Sequence, residues 1–156
     1  MRRRVAREIA VQSLYQIEMN EVSVKEAVHM ALEEARNDNE AGFDVGDDKV
    51  PSTYVQELVE GTRERLEPID QMLSVFLKGW QMDRLSRVDR EVLRLAAYEM
   101  VYRDDVPPKV ALNEAIEIAK HFGTEESGKF VNGVLGKMIK DIDELKQKYA
   151  ASGQQS

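Results

Sequence analysis

Gly123, Gly128 and Lys129 lie in GTEESGKF at the spacing of a phosphate-binding loop: a glycine, four residues, then Gly-Lys. In such a loop backbone N–H groups converge on phosphate oxygens and the lysine reaches the outer phosphates. A serine or threonine hydroxyl directly after the lysine holds magnesium. Here Phe130 occupies the hydroxyl position, and Glu125 and Glu126 put carboxylates where the phosphate would sit. The residues before Gly123 keep helical spacing, whereas a phosphate loop follows a strand. The stretch therefore reads as a junction between two helices, not a nucleotide cradle.

Other chemistry is thin. His29 and His121 are the only histidines and there is no cysteine, so thiolate nucleophiles, disulfides and thiolate metal ligands are excluded. Neither histidine has a ligand partner one helical turn away, so no metal is expected. Serines and carboxylates are plentiful, but none forms a local triad or acid pair; the reading is no catalytic residue, no cofactor and no enzyme. Glu99 projects among Val88, Val92 and Leu95, where a carboxylate calls for an arginine or backbone donors, giving a structural ion pair rather than a general acid.

The arginines are more informative. Arg2, Arg3, Arg4 and Arg7 set four guanidinium groups in seven residues of a chain whose formal net charge is -7. They stand at the positive end of a helix dipole, an unfavourable place for cations, yet guanidiniums clamp phosphates bidentately and stack on unpaired bases. A solubilising tip is the other reading. Helical projection turns Arg4 and Arg7 away from the Ala6 and Ile9 side. It also sets Val11 and Tyr15, four apart, opposite the core as a small docking patch. Arg87, Arg90 and Arg94 form a further row that nearby carboxylates can pair.

The elements that must position these residues are helices. A chain of 156 residues, 42% hydrophobic and 33% charged, fits one domain or two small helical subdomains. No apolar run approaches the roughly 20 residues of a membrane span, and no h-region follows the arginines, so neither a membrane nor secretion is expected and the cytoplasm is the default. Apolar side chains recur at helical spacing from Val5 to Ile17 and from about Val24 to Arg36. NDNEAGFDVGDDKVP, over 37–51, keeps neither period and reads as an exposed acidic loop. Ser52 can cap a helix running to Leu66, and Pro68 can start another through Leu77, with Trp80 as an anchor at its end. Ser86 and Asp89 spell a capping box for the helix that DDVPP stops. Pro108 opens the next, which ends at Gly123, and Thr124 caps a last helix carrying Val131 to Tyr149. About seven helices and no strand make an all-α protein of packed bundles, a single helical domain over 1–150 with 151–156 as a disordered tail.

RRRVAREIAVQSLYQIE at 2–18, SRVDREVLRLAAYEM at 86–100 and PPKVALNEAIEIAKHFGTEESGKFVNGVL at 107–135 resemble the NusB family of transcription antitermination factors. The resemblance implies two packed helical bundles and no catalytic activity. It further implies binding to boxA RNA, an element of nascent ribosomal RNA, together with the small-subunit ribosomal protein NusE, within the RNA polymerase antitermination complex. The family's RNA-contacting arginines are matched by Arg2, Arg3, Arg4 and Arg7. Its RNA-facing aromatic is matched by Phe130, its docking aromatic by Tyr15, and its assembly-modulating acidic residue by Glu126. Asn132 and Gly133 also match and are expected to serve close helix packing, since a mid-helix glycine costs about 1 kcal/mol relative to alanine unless space demands it. Two departures stand out: only Met1 precedes the arginine triplet, and Gly136 replaces an aspartate frequent in the family. A non-catalytic helical protein-interaction module without specific RNA binding is the alternative, separated from the first reading by the arginine-rich start. A similar helical domain is fused to some ribosomal RNA methyltransferases, but no methyl-donor domain is expected here. A homodimer stays open beside the monomer.

Overall fold

The computed structural model describes residues 3–37, 52–77 and 82–150. Arg2, the acidic loop after Asn37, the Trp80 anchor and the 151–156 tail lie outside the described residues. Among the described residues the chain is all-α, with no strand and seven helices of 12 to 18 residues. They are α1 (Arg3–Asn20), α2 (Val24–Asn37), α3 (Ser52–Glu64), α4 (Leu66–Leu77), α5 (Arg87–Tyr102), α6 (Pro108–Phe122) and α7 (Glu125–Met138). A short α8 (Ile142–Leu145) follows a 3-10 turn over Ile139–Asp141, and a π-helical turn over Lys146–Ala150 closes the described chain. No described helix is long and apolar enough to cross a membrane.

The chain divides into two compact units, Met1–Arg63 and Glu64–Ser156. In the first, α1 packs on α2, and Ala6, Ala10 and Leu14 of the one helix and Ala27, Ala31 and Leu32 of the other are all buried. Glu21 turns the chain between them with a positive φ of 53°, its N–H donating to Ile17 O at 3.0 Å, and Ser23 Oγ caps α2 by accepting from Glu26 N at 3.1 Å. The buried hydroxyls of Ser13 and Thr62 are satisfied by donating to the carbonyls of Ile9 and Leu58, each at 2.8 Å.

In the second unit α5 is the axis. Every residue from Glu91 to Val101 is buried, and the helix packs against α4, α6, α7 and the C-terminal turns. Its start is fixed by Ser86, whose hydroxyl accepts from Asp89 N at 3.1 Å, as the capping box predicts. Pro108 opens α6 at a position where its missing N–H costs nothing, and Gly123 closes it, its N–H donating to Ala119 O at 2.8 Å. Pro68 has no N–H for an α3 continuation and its ring would strike the carbonyl of Glu64, so the chain breaks at Arg65 before α4 begins.

Boundaries differ from expectation at the α3–α4 break, where α3 ends at Glu64 instead of Leu66 and α4 begins at Leu66 instead of Pro68, and in the last helix. The apolar positions from Val131 to Tyr149 predict a single last helix, but α7 stops at Met138 and the rest alternates 3-10, α and π turns. Returns of three, four and five residues put side chains on nearly the same face, so apolar spacing does not distinguish them.

Candidate nucleic-acid interface

Arg3, Arg4 and Arg7 all lie in the first two turns of α1, which has no acidic residue in its first turn. Arg3 is half-buried, its guanidinium 5.4 Å from the centre of the Tyr54 ring, a cation–π contact that fixes the α1 start against α3. Arg4 is exposed. Arg7 corrects the projection that turned it outward, being only 3% exposed. The one-face projection fails because α1 is buried on all sides between Ala6 and Val11, Glu8 included.

The same burial corrects the docking patch on α1. Val11 is 2% exposed and belongs to the core, while Tyr15 is half-exposed. The apolar surface continues instead to Met19, four residues on and 40% exposed, which the sequence reading passed over although it extends the same spacing.

In the second unit the phosphate-loop letters become a helix junction. Thr124 Oγ1 accepts from Ser127 N at 3.4 Å and Thr124 O accepts from Gly128 N at 3.2 Å. Those amides are committed to capping and starting α7, so they cannot converge on a phosphate. Glu125 and Glu126 sit in the first turn, where the helix dipole favours carboxylates. Glu126 and Phe130 are one turn apart on α7, the first exposed and the second half-buried. Lys129 Nζ lies 3.6 Å from Glu126 Oε1, an exposed pair of small energetic weight.

Gly133 departs from expectation. A Cβ built there would meet nothing within 4 Å among the described residues, so close packing against them does not demand glycine. Gly123 is the reverse case, since a Cβ there would lie 2.5 Å from Ser127 Oγ and 3.0 Å from Ala119 O.

The arginine row on α5 is partly consumed internally. Arg94 Nε and Nη2 donate to the two carboxylate oxygens of Asp70 at 2.9 and 2.8 Å, and Nη1 donates to Glu91 Oε2 at 3.0 Å. Glu91 and Arg94 are buried, so the network ties α5 to α4 rather than facing a ligand. Glu99 is buried as its projection predicts.

A cation–aromatic cluster went unread. Tyr98 and Tyr102 stack with ring centres 6.0 Å apart, and the Arg65 guanidinium lies 5.7 and 5.0 Å from those centres. Burial raises the Tyr102 hydroxyl above its ordinary value, opposed by Arg65 and reinforced by Tyr149. Arg103, held by a bidentate bond to Asp105, is raised further above the ordinary arginine range. The four-residue tyrosine spacing was visible; Arg65, far away in sequence, was not.

His29 is exposed beside an open cleft of about 500 Å³ that Ser23, Val28, Leu32 and Gln56 also line, and His121 stands edge-on to Phe122 at 5.1 Å. Among the described residues no cluster of three or more His, Asp or Glu could hold a metal ion.

The chain is similar to known proteins. The NusB family model matches residues 4–140. The chain is 43% identical over 144 residues to the transcription antitermination protein NusB of Bacillus subtilis, covering 92% of this chain and 99% of that protein. It superposes on a NusB structure from T. maritima with a TM-score of 0.74 and 33% identity, covering 94% of this chain and 97% of the other. It superposes equally well on a chain from a crystal structure of antitermination factors NusB and NusE in complex with dsRNA, with a TM-score of 0.73, 28% identity, and 88% and 96% of the two chains covered.

Proposed function

The chain belongs to the NusB family of non-catalytic, RNA-binding transcription antitermination factors, and from that premise we propose that it binds boxA of nascent ribosomal RNA together with ribosomal protein NusE. In the cytoplasm this assembly would keep RNA polymerase processive through ribosomal RNA operons. The observation that carries the reading is the family match over residues 4–140, which takes in Arg4 and Arg7 of α1. A homologous NusB chain crystallised with NusE and RNA supports both partners.

In this reading Arg2, Arg3 and Arg4 hold phosphates and bases, Arg7 supports that turn from its buried position, and Phe130 offers a surface for a base. Tyr15 receives the protein partner, and Glu126 tunes assembly by placing a carboxylate one turn from the aromatic. Recognition by several modest contacts suits a factor that must leave its RNA when transcription ends.

The test is a fluorescence anisotropy titration of boxA RNA and of a scrambled strand, each with and without NusE. The expected result is a preference for boxA that NusE strengthens. Replacing Arg3 and Arg4 by alanine should lower affinity and flatten its salt dependence by about 0.7 in logarithmic slope per lost phosphate contact, with helicity intact. Equal weak binding to both strands under both conditions would instead mark a protein-interaction module.

A further inference from the structure

A glycine inside a helix is ordinarily explained by crowding or by a backbone angle closed to other residues. Neither applies at Gly133, which lies within regular α7 where an added Cβ meets no atom of the described residues within 4 Å. The helix gives up stability there, relative to alanine, for no contact with the described residues. Gly136, one turn on, is nearly as open: its Cβ would meet only Asn132 Oδ1, at an ordinary 3.5 Å.

The neighbours of Gly133 on the helix surface are the residues three and four away, Lys129, Phe130, Gly136 and Lys137. Both lysines are exposed, as is Asn132, and Phe130 is half-exposed. The result is a strip of bare helix backbone edged by two cations, an amide and an aromatic, in a protein of net charge -7. A partner helix would ask for an apolar stripe here, and only Phe130 is apolar. A polyanionic backbone fits better, because lysines flank the gap and the missing side chains let a second backbone approach.

We propose that the α7 face centred on Gly133 seats the sugar–phosphate backbone of single-stranded RNA. Lys129 and Lys137 meet phosphates on either side, Asn132 bonds a ribose or phosphate oxygen, and Phe130 supports a base. Lys129 gives up its exposed pairing with Glu126 on binding. The proposal rests on the RNA-binding reading above and adds to it the residue that sets how closely the strand lies on the helix.

The experiment measures boxA RNA binding by the full chain carrying Gly133→Ala, Gly133→Gln or the control Val110→Gln, a position 44% exposed on α6. Thermal melting and circular dichroism accompany each titration. Gly133→Ala should melt higher than the parent and bind RNA more weakly. Gly133→Gln should keep its helicity and bind about tenfold more weakly or worse, the scale of one lost base or backbone contact, whereas Val110→Gln should bind like the parent. If Gly133→Gln loses helicity, the opposed stability and affinity changes of Gly133→Ala decide. Parental affinity in both Gly133 variants, with Arg3 and Arg4 replacements still weakening RNA, overturns the seat and leaves the RNA-binding reading standing. So does a Gly133→Gln variant that binds RNA normally but loses NusE. A parent chain with no preference for boxA takes down both.

Discussion

Arg94 shows how far a single side chain can depart from what its spacing suggests. It shares a helical face with Arg87 and Arg90, and a row of cations invites an anion from outside. Its guanidinium instead faces inward, bonded to Asp70 and Glu91. Which end of a helical face is covered depends on Asp70, 24 residues earlier on another helix, and local periodicity cannot carry that information. The buried Glu91 carboxylate makes removal costly: Arg94→Ala should lower unfolding free energy by about 3 kcal/mol, and Arg94→Lys, which keeps the charge but not the fork, should fall between it and the parent. Denaturant titration of the three proteins checks the order. A loss below about 1 kcal/mol for Arg94→Ala would mean that the network is solvated. Arg7 and Val11 miss for a related reason, since a projection that assumes one buried side fails on a helix buried all round.

Helix boundaries were the most legible level, because each is set by a side chain acting on backbone a few residues away. Ser86, Pro108, Gly123 and Thr124 sit where their chemistry predicts, at the ends of α5, α6 and α7. The last segment was not legible, since its break depends on how each turn packs rather than on any breaker residue. The caps also rank. Ser86 receives its bond at 3.1 Å, while Thr124 receives one at 3.4 Å. Ser86→Ala should therefore cost about 1 kcal/mol, and Thr124→Ala less, by thermal or urea unfolding. Equal losses would show that cap geometry does not set the energy here. Phe130 and Glu126 were found through the family motif, and their helical placement then followed from the Thr124 cap.

At the scale of the whole chain, composition and periodicity establish an all-α protein, and the family follows from motifs spread along most of its length. The division at Arg63 and Glu64 was not foreseeable, because it reflects which helices share contacts and not how each is formed. Net charge was a poor guide as well: a total of -7 coexists with arginines gathered at one end and lysines along α7. The buried run of α5 has a further consequence, for timing. Amide protons exchange with solvent only when a segment opens, and a helix enclosed from Glu91 to Val101 opens only with its unit. In deuterium-exchange mass spectrometry α5 should therefore label last among the helices of the second unit and serve as an internal clock for global opening, against which any RNA-dependent slowing of residues 129–137 can be read.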